Sequence, residues 1–152
     1  MLVDVHPEQP PLEVLGKPPA AATGGILDFV AFGGPVVRSR PLESLEKSAA
    51  APRTAPLGEQ VAALTHALRA RVRYVPGVTN SRSTSDHALA EGSGVCQDYA
   101  HLMLGLLRLR GVPCRYVSGY LHVDRSAREP SQSHAWIEVY SPGQGWVAWD
   151  PT

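Results

Sequence analysis

Gly92-Ser93-Gly94-Val95-Cys96-Gln97-Asp98-Tyr99-Ala100-His101 is the stretch whose reading decides the fold. Two glycines lead into a cysteine. The cysteine opens a run in which Leu102, Met103, Leu104, Leu106, Leu107 and Leu109 cover most of a helix's circumference. A helix that apolar is buried on most sides. Gly111 and then Pro113 close it, so the spacing predicts a core helix over residues 96–110. A thiol at the start of such a helix faces unpaired backbone N–H groups and the positive end of the helix dipole. That field favours thiolate, the nucleophilic form.

Beyond this helix the chain turns to strand chemistry. Pro113 to Tyr120 is β-rich and roughly alternating. His134-Ala135-Trp136-Ile137-Glu138-Val139-Tyr140 reads as a second strand, with His134, Trp136, Glu138 and Tyr140 on one face. Ser141-Pro142-Gly143-Gln144-Gly145 reads as a hairpin turn, and Trp146-Val147-Ala148-Trp149-Asp150 as a third strand antiparallel to the second. Residues 124–133 are polar, contain Pro130 and read as a surface loop. Arg115 and Glu138 form a cross-strand ion pair if their strands are neighbours.

Upstream, Leu57, Val61, Leu64, Leu68 and Val72 recur at helical steps, and Pro76-Gly77 ends the pattern. Arg69, Arg71 and Arg73 crowd its C-terminal end, where cations suit the dipole. A short helix is expected at residues 85–90, capped by Ser83 or Ser85 and stopped by Gly92. Residues 1–56 differ in character. They hold nine of the 14 prolines, with Pro10-Pro11, Pro18-Pro19 and alanine runs. This reads as a poorly ordered leader with one or two short strands: residues 25–32 read as an edge strand or a docking segment that packs on the later domain, and Val36-Val37 as another short extended piece. Residues 57–152 then form the core domain, and helices followed by strands indicate an α+β fold.

Composition narrows the function. The chain has 152 residues, 43% of them hydrophobic, which suits one domain with a real core. Net charge is zero and the basic residues are scattered, which argues against nucleic acid as partner. No apolar run is long enough to span a bilayer, and a cytoplasmic location is the expectation. Two cysteines, Cys96 and Cys114, make no disulfide framework, and neither has a zinc-ligand partner at finger spacing.

Three residues now line up. Cys96 starts a helix, His134 starts a strand, and Asp150 ends the next strand of the same hairpin. Antiparallel pairing puts His134 and Asp150 at one open end. A carboxylate on one ring nitrogen fixes the tautomer and leaves the other free for the sulfur. Cys114 reads as a buried strand cysteine, His101 as a packed residue and Asp98 as a helix-start carboxylate.

Gly94-Val95-Cys96-Gln97-Asp98-Tyr99-Ala100, followed by Gly111-Val112-Pro113-Cys114-Arg115-Tyr116-Val117-Ser118-Gly119-Tyr120, resembles the bacterial transglutaminase-like superfamily. So do Ser133-His134-Ala135-Trp136-Ile137-Glu138-Val139-Tyr140 and Gly145-Trp146-Val147-Ala148-Trp149-Asp150-Pro151-Thr152. The resemblance covers about residues 57–152. It implies a papain-like cysteine-protease core, with a central buried helix packed on an antiparallel sheet. In it Cys96 is the nucleophile, His134 the base and Asp150 the orienting carboxylate. It implies acyl transfer through a thioester on a carboxamide or peptide of a protein or peptide substrate, with no metal or organic cofactor. The Cys96 N–H is one natural oxyanion donor. Tyr74, Thr79 and Asn80 are the upstream candidates for a second. Gln97 faces either solvent or the cleft, and Trp136 shields the site. Members of this family usually continue past the Asp-Pro-Thr motif, so an exposed sheet edge and self-association through it are expected. The competing reading is a catalytically inactive module that uses this fold to bind protein or peptide. A metal site at Cys96, His134 and Asp150 has too few soft ligands to compete.

Overall fold

A computed structural model describes residues 15–16, 24–120 and 133–152. The leader's Pro10-Pro11 and Pro18-Pro19, and most of the polar stretch 124–133, lie outside the described residues. The described chain runs α1 (Arg40–Ser48), α2 (Leu57–Arg71), β1 (Arg73–Tyr74), α3 (Ser85–Glu91), β2 (Ser93–Gly94), α4 (Cys96–Leu109), β3 (Cys114–Tyr120), β4 (Ser133–Ser141) and β5 (Gly145–Trp149). The mixed helix-and-sheet architecture expected from the sequence is present. No helix among the described residues is long and apolar enough to cross a membrane.

The central helix is α4. Leu102, Met103, Leu104, Leu106 and Leu107 are all buried, because its apolar residues face helices on one side and sheet on the other. The antiparallel sheet has the order β3-β4-β5. Cys114 pairs with Val139 and Tyr120 with Ser133 in one ladder, Ile137 with Trp149 and Ser141 with Gly145 in the other. Ala135, Ile137 and Val139 point into the core against α4. The predicted pair of Arg115 and Glu138 forms directly across β3 and β4.

Two short strands were not legible in the sequence. β1 pairs in parallel with β2, Arg73 with Ser93 and Tyr74 with Gly94, and Val75 N–H extends the pairing to Gly94 O at 2.9 Å. Strands of two residues are too short to carry any alternation. Gly92 supplies the left-handed turn between α3 and β2, at φ 64°. The cap of α3 is Thr84, whose hydroxyl accepts the His87 N–H; it is neither Ser83 nor Ser85.

The leader expectation needs the larger correction. Residues 40–48 form a helix, and Leu15, Val36, Leu42 and Leu45 are buried in the same core as α4. Ser39 caps α1 and Pro41 sits in its first turn. Those are helix-start signals, masked by the high proline count around them. Only Leu42 and Leu45 mark its apolar face, too few for a visible period. Of the two readings of residues 25–32, the strand is replaced by a 3-10 helix over Gly24–Val30, while Phe32 packs against the core as a docking segment would. The expected extended piece at Val36-Val37 is a single bridge between Gly33 and Val36. A buried ion pair ties α1 to the end of α4: Arg110 Nε donates to Glu46 Oε1 at 2.8 Å, and Arg53 reaches Glu46 Oε2 at 3.0 Å.

Close packing explains why α1 belongs to the domain. A Cβ on Gly105 of α4 would lie 2.7 Å from Leu42 Cδ2, so the two helices meet where α4 has no side chain. Truncating Leu42 leaves a cavity against that backbone. Leu42→Ala is expected to lower unfolding free energy by about 2–4 kcal/mol. Urea denaturation followed by circular dichroism measures it, and a loss below about 0.5 kcal/mol would place α1 outside the cooperative unit.

Candidate active site

Local sequence sets Cys96 in place. Val95 is extended and has no side chain able to cap the helix. Asp98, in the first turn, supplies the cap instead: its Oδ2 accepts the Val95 N–H at 2.8 Å and the Thr79 hydroxyl at 2.5 Å. Gly94 is required for this, since a Cβ there would lie 2.7 Å from the Asp98 side chain. The result is a rigid turn that delivers Cys96 as the first residue of α4, half-buried, with the loop at residues 75–80 pinned beside it.

The strands deliver the other two residues. His134 Nε2–H donates to Asp150 Oδ2 at 2.7 Å. A carboxylate only accepts, so that nitrogen carries the proton and Nδ1 is left for the sulfur. Asp150 Oδ1 accepts the Thr152 N–H at 3.0 Å. Pairing of β5 with β4 stops at Trp149 opposite Ile137, and β4 runs on past it. The Ala135 N–H on that overhang is directed at the Cys96 sulfur, as is the Gln97 N–H.

Electrostatics follow from this placement. The hydrogen bond with His134 is the largest influence on the Cys96 thiol and lowers its pKa; burial opposes it, and the Ala135 and Gln97 N–H groups assist. Asp150 is the main cause that raises His134 to about 9, with Cys96 second. For Asp150, burial pushes the carboxyl up, and the bonds from His134 and Thr152 outweigh it, so the net shift is downward. All three shifts favour a thiolate–imidazolium pair held by a carboxylate.

The upstream candidates take different positions. The Cys96 N–H is directed at the Tyr74 hydroxyl, because the β1–β2 pairing sets Tyr74 beside Gly94. Burial raises the Tyr74 pKa, and the neighbouring Cys96 adds to that, so its O–H stays protonated and available as a donor. Thr79 is instead bonded to Asp98. Asn80 shapes its own turn, its Oδ1 accepting the Arg82 N–H and its carbonyl accepting Gln97 Nε2. Gln97 therefore leans on that loop. Trp136 is buried and its ring stacks 6.3 Å from the His134 ring, tilted by 21°. Cys114 is buried and pushed up to about 12 by burial, and His101 is buried with its pKa lowered by the same cause. Among the described residues no group of three His, Cys, Asp or Glu is placed to hold a metal ion.

Three supporting residues carried no functional signal in the sequence. Arg69, on α2, donates to the carbonyls of Pro151 and Thr152 and so anchors the segment after Asp150. Thr65, one turn earlier, accepts the Trp149 indole N–H at 2.9 Å. Gly119, paired with His134, leaves room for Trp136, since a Cβ there would lie 2.8 Å from Trp136 Cη2.

A model of the transglutaminase-like superfamily matches residues 43–151. The chain is 47% identical over 88 residues to an uncharacterised protein of Mycobacterium leprae, covering 55% of this chain and 31% of that protein. It is 34% identical over 83 residues to a protein-glutamine gamma-glutamyltransferase of Pseudomonas aeruginosa, covering 51% of this chain and 12% of that protein. The crystal structure of a proposed cysteine protease from Cytophaga hutchinsonii superposes with a TM-score of 0.74 at 28% identity, covering 91% of this chain and 46% of that one. The chain thus spans about a third or less of these curated relatives' length.

The pH dependence of Cys96 alkylation by iodoacetamide tests the electrostatics. Thiolate forms as pH rises through the thiol pKa, so a lowered pKa moves the rate increase to lower pH. His134→Ala removes the largest lowering influence. The rate increase is then expected to shift upward, toward the ordinary free-thiol range of about 8.5. Gly119→Ala, which pushes Trp136 against His134, is expected to shift it in the same direction by less.

Proposed function

The chain belongs to the transglutaminase-like superfamily, and from that premise we propose that it performs cysteine-dependent acyl transfer on a carboxamide or peptide bond. The observation that carries the proposal is the His134 imidazole, held at Nε2 by Asp150 and turned toward Cys96. An imidazole oriented in this way is ready to move a proton to and from a reacting thiolate.

The steps are these. The Cys96 thiolate attacks the carbonyl carbon and forms a C–S bond. The carbonyl oxygen gains negative charge between the Cys96 N–H and the Tyr74 hydroxyl, which separate to admit it. The tetrahedral species collapses, and His134 gives its proton to the departing nitrogen, releasing ammonia or an amine. A thioester remains on Cys96. His134, now neutral, takes a proton from an incoming amine or water as it attacks the thioester. An amine gives a new amide and water gives a carboxylate; either restores the thiolate and imidazolium.

The test offers a glutaminyl peptide with and without a primary amine and follows products by mass spectrometry. The proposal expects turnover that is lost in Cys96→Ala. An amide product in the presence of amine identifies transfer, and free acid alone identifies hydrolysis. Tyr74→Phe is expected to lower kcat by about 100-fold while leaving the alkylation profile of Cys96 close to the parent's. No turnover on any carboxamide, combined with an ordinary thiol pKa at Cys96, would sink the acyl-transfer reading in favour of a binding module.

A further inference from the structure

Among the described residues, the exposed large hydrophobic side chains are Tyr74, Val78, Tyr116 and Tyr120, at 51%, 38%, 38% and 61% exposure. They come from two separate parts of the chain, residues 74–78 and 116–120, and each part has one tyrosine beside Cys96. Tyr74 stands at the Cys96 N–H. Val78 precedes Thr79, whose hydroxyl is tied to Asp98 at the start of α4. Tyr116 packs beside His101 on α4, with ring centroids 5.1 Å apart, and lies close enough for Cys96 and Asp98 charge to raise its pKa, after burial. Tyr120 shares that face of β3 and pairs with Ser133, next to His134. Ordinary surface places such side chains singly. Here Tyr74 and Tyr116 stand beside one reactive sulfur, and Val78 and Tyr120 follow them in the chain.

The charge pattern of the same rim is as informative. Residues 75–80 read Val-Pro-Gly-Val-Thr-Asn and carry no charge. The β3 face that holds Tyr116 and Tyr120 contributes Ser118 between them, while Arg115 lies on the opposite face, paired with Glu138. Asp98 is fully buried beneath the rim. Among the described residues, neither the 75–80 stretch nor the Tyr116–Tyr120 face offers a counter-charge to a charged substrate group that loses water here. An aromatic or aliphatic group would gain contact with tyrosine rings that are already half out of water.

We infer that Tyr74, Val78, Tyr116 and Tyr120 form an acyl-donor subsite, which takes an aromatic or large aliphatic side chain next to the reacting carboxamide. This rests on the acyl-transfer reading, since it assigns the partner of the same sulfur. The acyl donor is the occupant because its carbonyl oxygen must reach the Tyr74 hydroxyl, which places its neighbouring residue over the rim.

The test uses covalent peptides that carry a chloromethyl ketone in place of the carboxamide, with Phe, Leu, Gly, Glu or Lys as the neighbouring residue. Labelling of Cys96 is read by intact mass, alongside the rate with plain iodoacetamide. The Phe and Leu peptides are expected to label about tenfold faster than Gly, and faster still than Glu or Lys. Tyr120→Ser alone, and together with Tyr116→Ser, should reduce that preference stepwise, read as the ratio of each peptide's rate to the same variant's iodoacetamide rate. Equal labelling by all five peptides, with fast iodoacetamide reaction, would overturn the subsite and leave the acyl-transfer reading standing. An unchanged preference in Tyr120→Ser and in the double variant would also overturn it. A slow, ordinary thiol toward iodoacetamide would count against the reaction itself, and the two failures are thereby distinguished.

Discussion

The hydrogen bond from His134 Nε2–H to Asp150 Oδ2, 2.7 Å long, is the constraint on which the site depends. Without it the imidazole has two tautomers and free rotation about its side-chain bonds, and the Cys96 helix terminus is left with a thiol that is only mildly acidic. With it, one nitrogen is committed and the other is aimed. The helix dipole then adds to a pair that is already formed. The ordering matters: the largest influence on the Cys96 thiol is His134, and the largest on His134 is Asp150.

Much of the fold serves to keep that one contact in register. The hairpin of β4 and β5 sets His134 and Asp150 on the same open end. Arg69 and Thr65 on α2 grip the residues on either side of Asp150. Asp98 locks the turn before Cys96 and the loop that carries Thr79 to each other. Glycine appears where a side chain would intrude, at Gly94 under Asp98, at Gly105 under Leu42 and at Gly119 beside Trp136. The domain therefore includes α1, which seals α4 on the side away from the sheet.

Most of this was legible in residues that repeat a period or sit at the end of one. The run after Cys96 is apolar all round and could only be a core helix. The alternation in residues 134–140 and the glycine-rich turn fixed the hairpin, and with it the neighbourhood of His134 and Asp150. What was not legible has a common cause: it depends on contacts between segments far apart in sequence. The β1–β2 pairing is two residues long. Tyr74, Thr79 and Asn80 are equivalent as polar side chains before a glycine-rich turn, and only the strand pairing sends Tyr74 to the Cys96 N–H. α1 shows two leucines in a proline-rich region, and its burial comes from Gly105 on a helix some sixty residues later. Arg69 reads as a dipole partner at a helix end, yet its partners are carbonyls at Pro151 and Thr152.

The most direct measurement is the titration of His134 itself, by nitrogen NMR of the imidazole across pH, in the parent and in Asp150→Asn. Coupling to Asp150 and Cys96 predicts protonation that persists to about 9 in the parent, and a downward shift in the variant as the carboxylate charge is removed. A His134 that titrates near the unperturbed value of about 6.5 in both proteins would contradict the existence of the coupled pair.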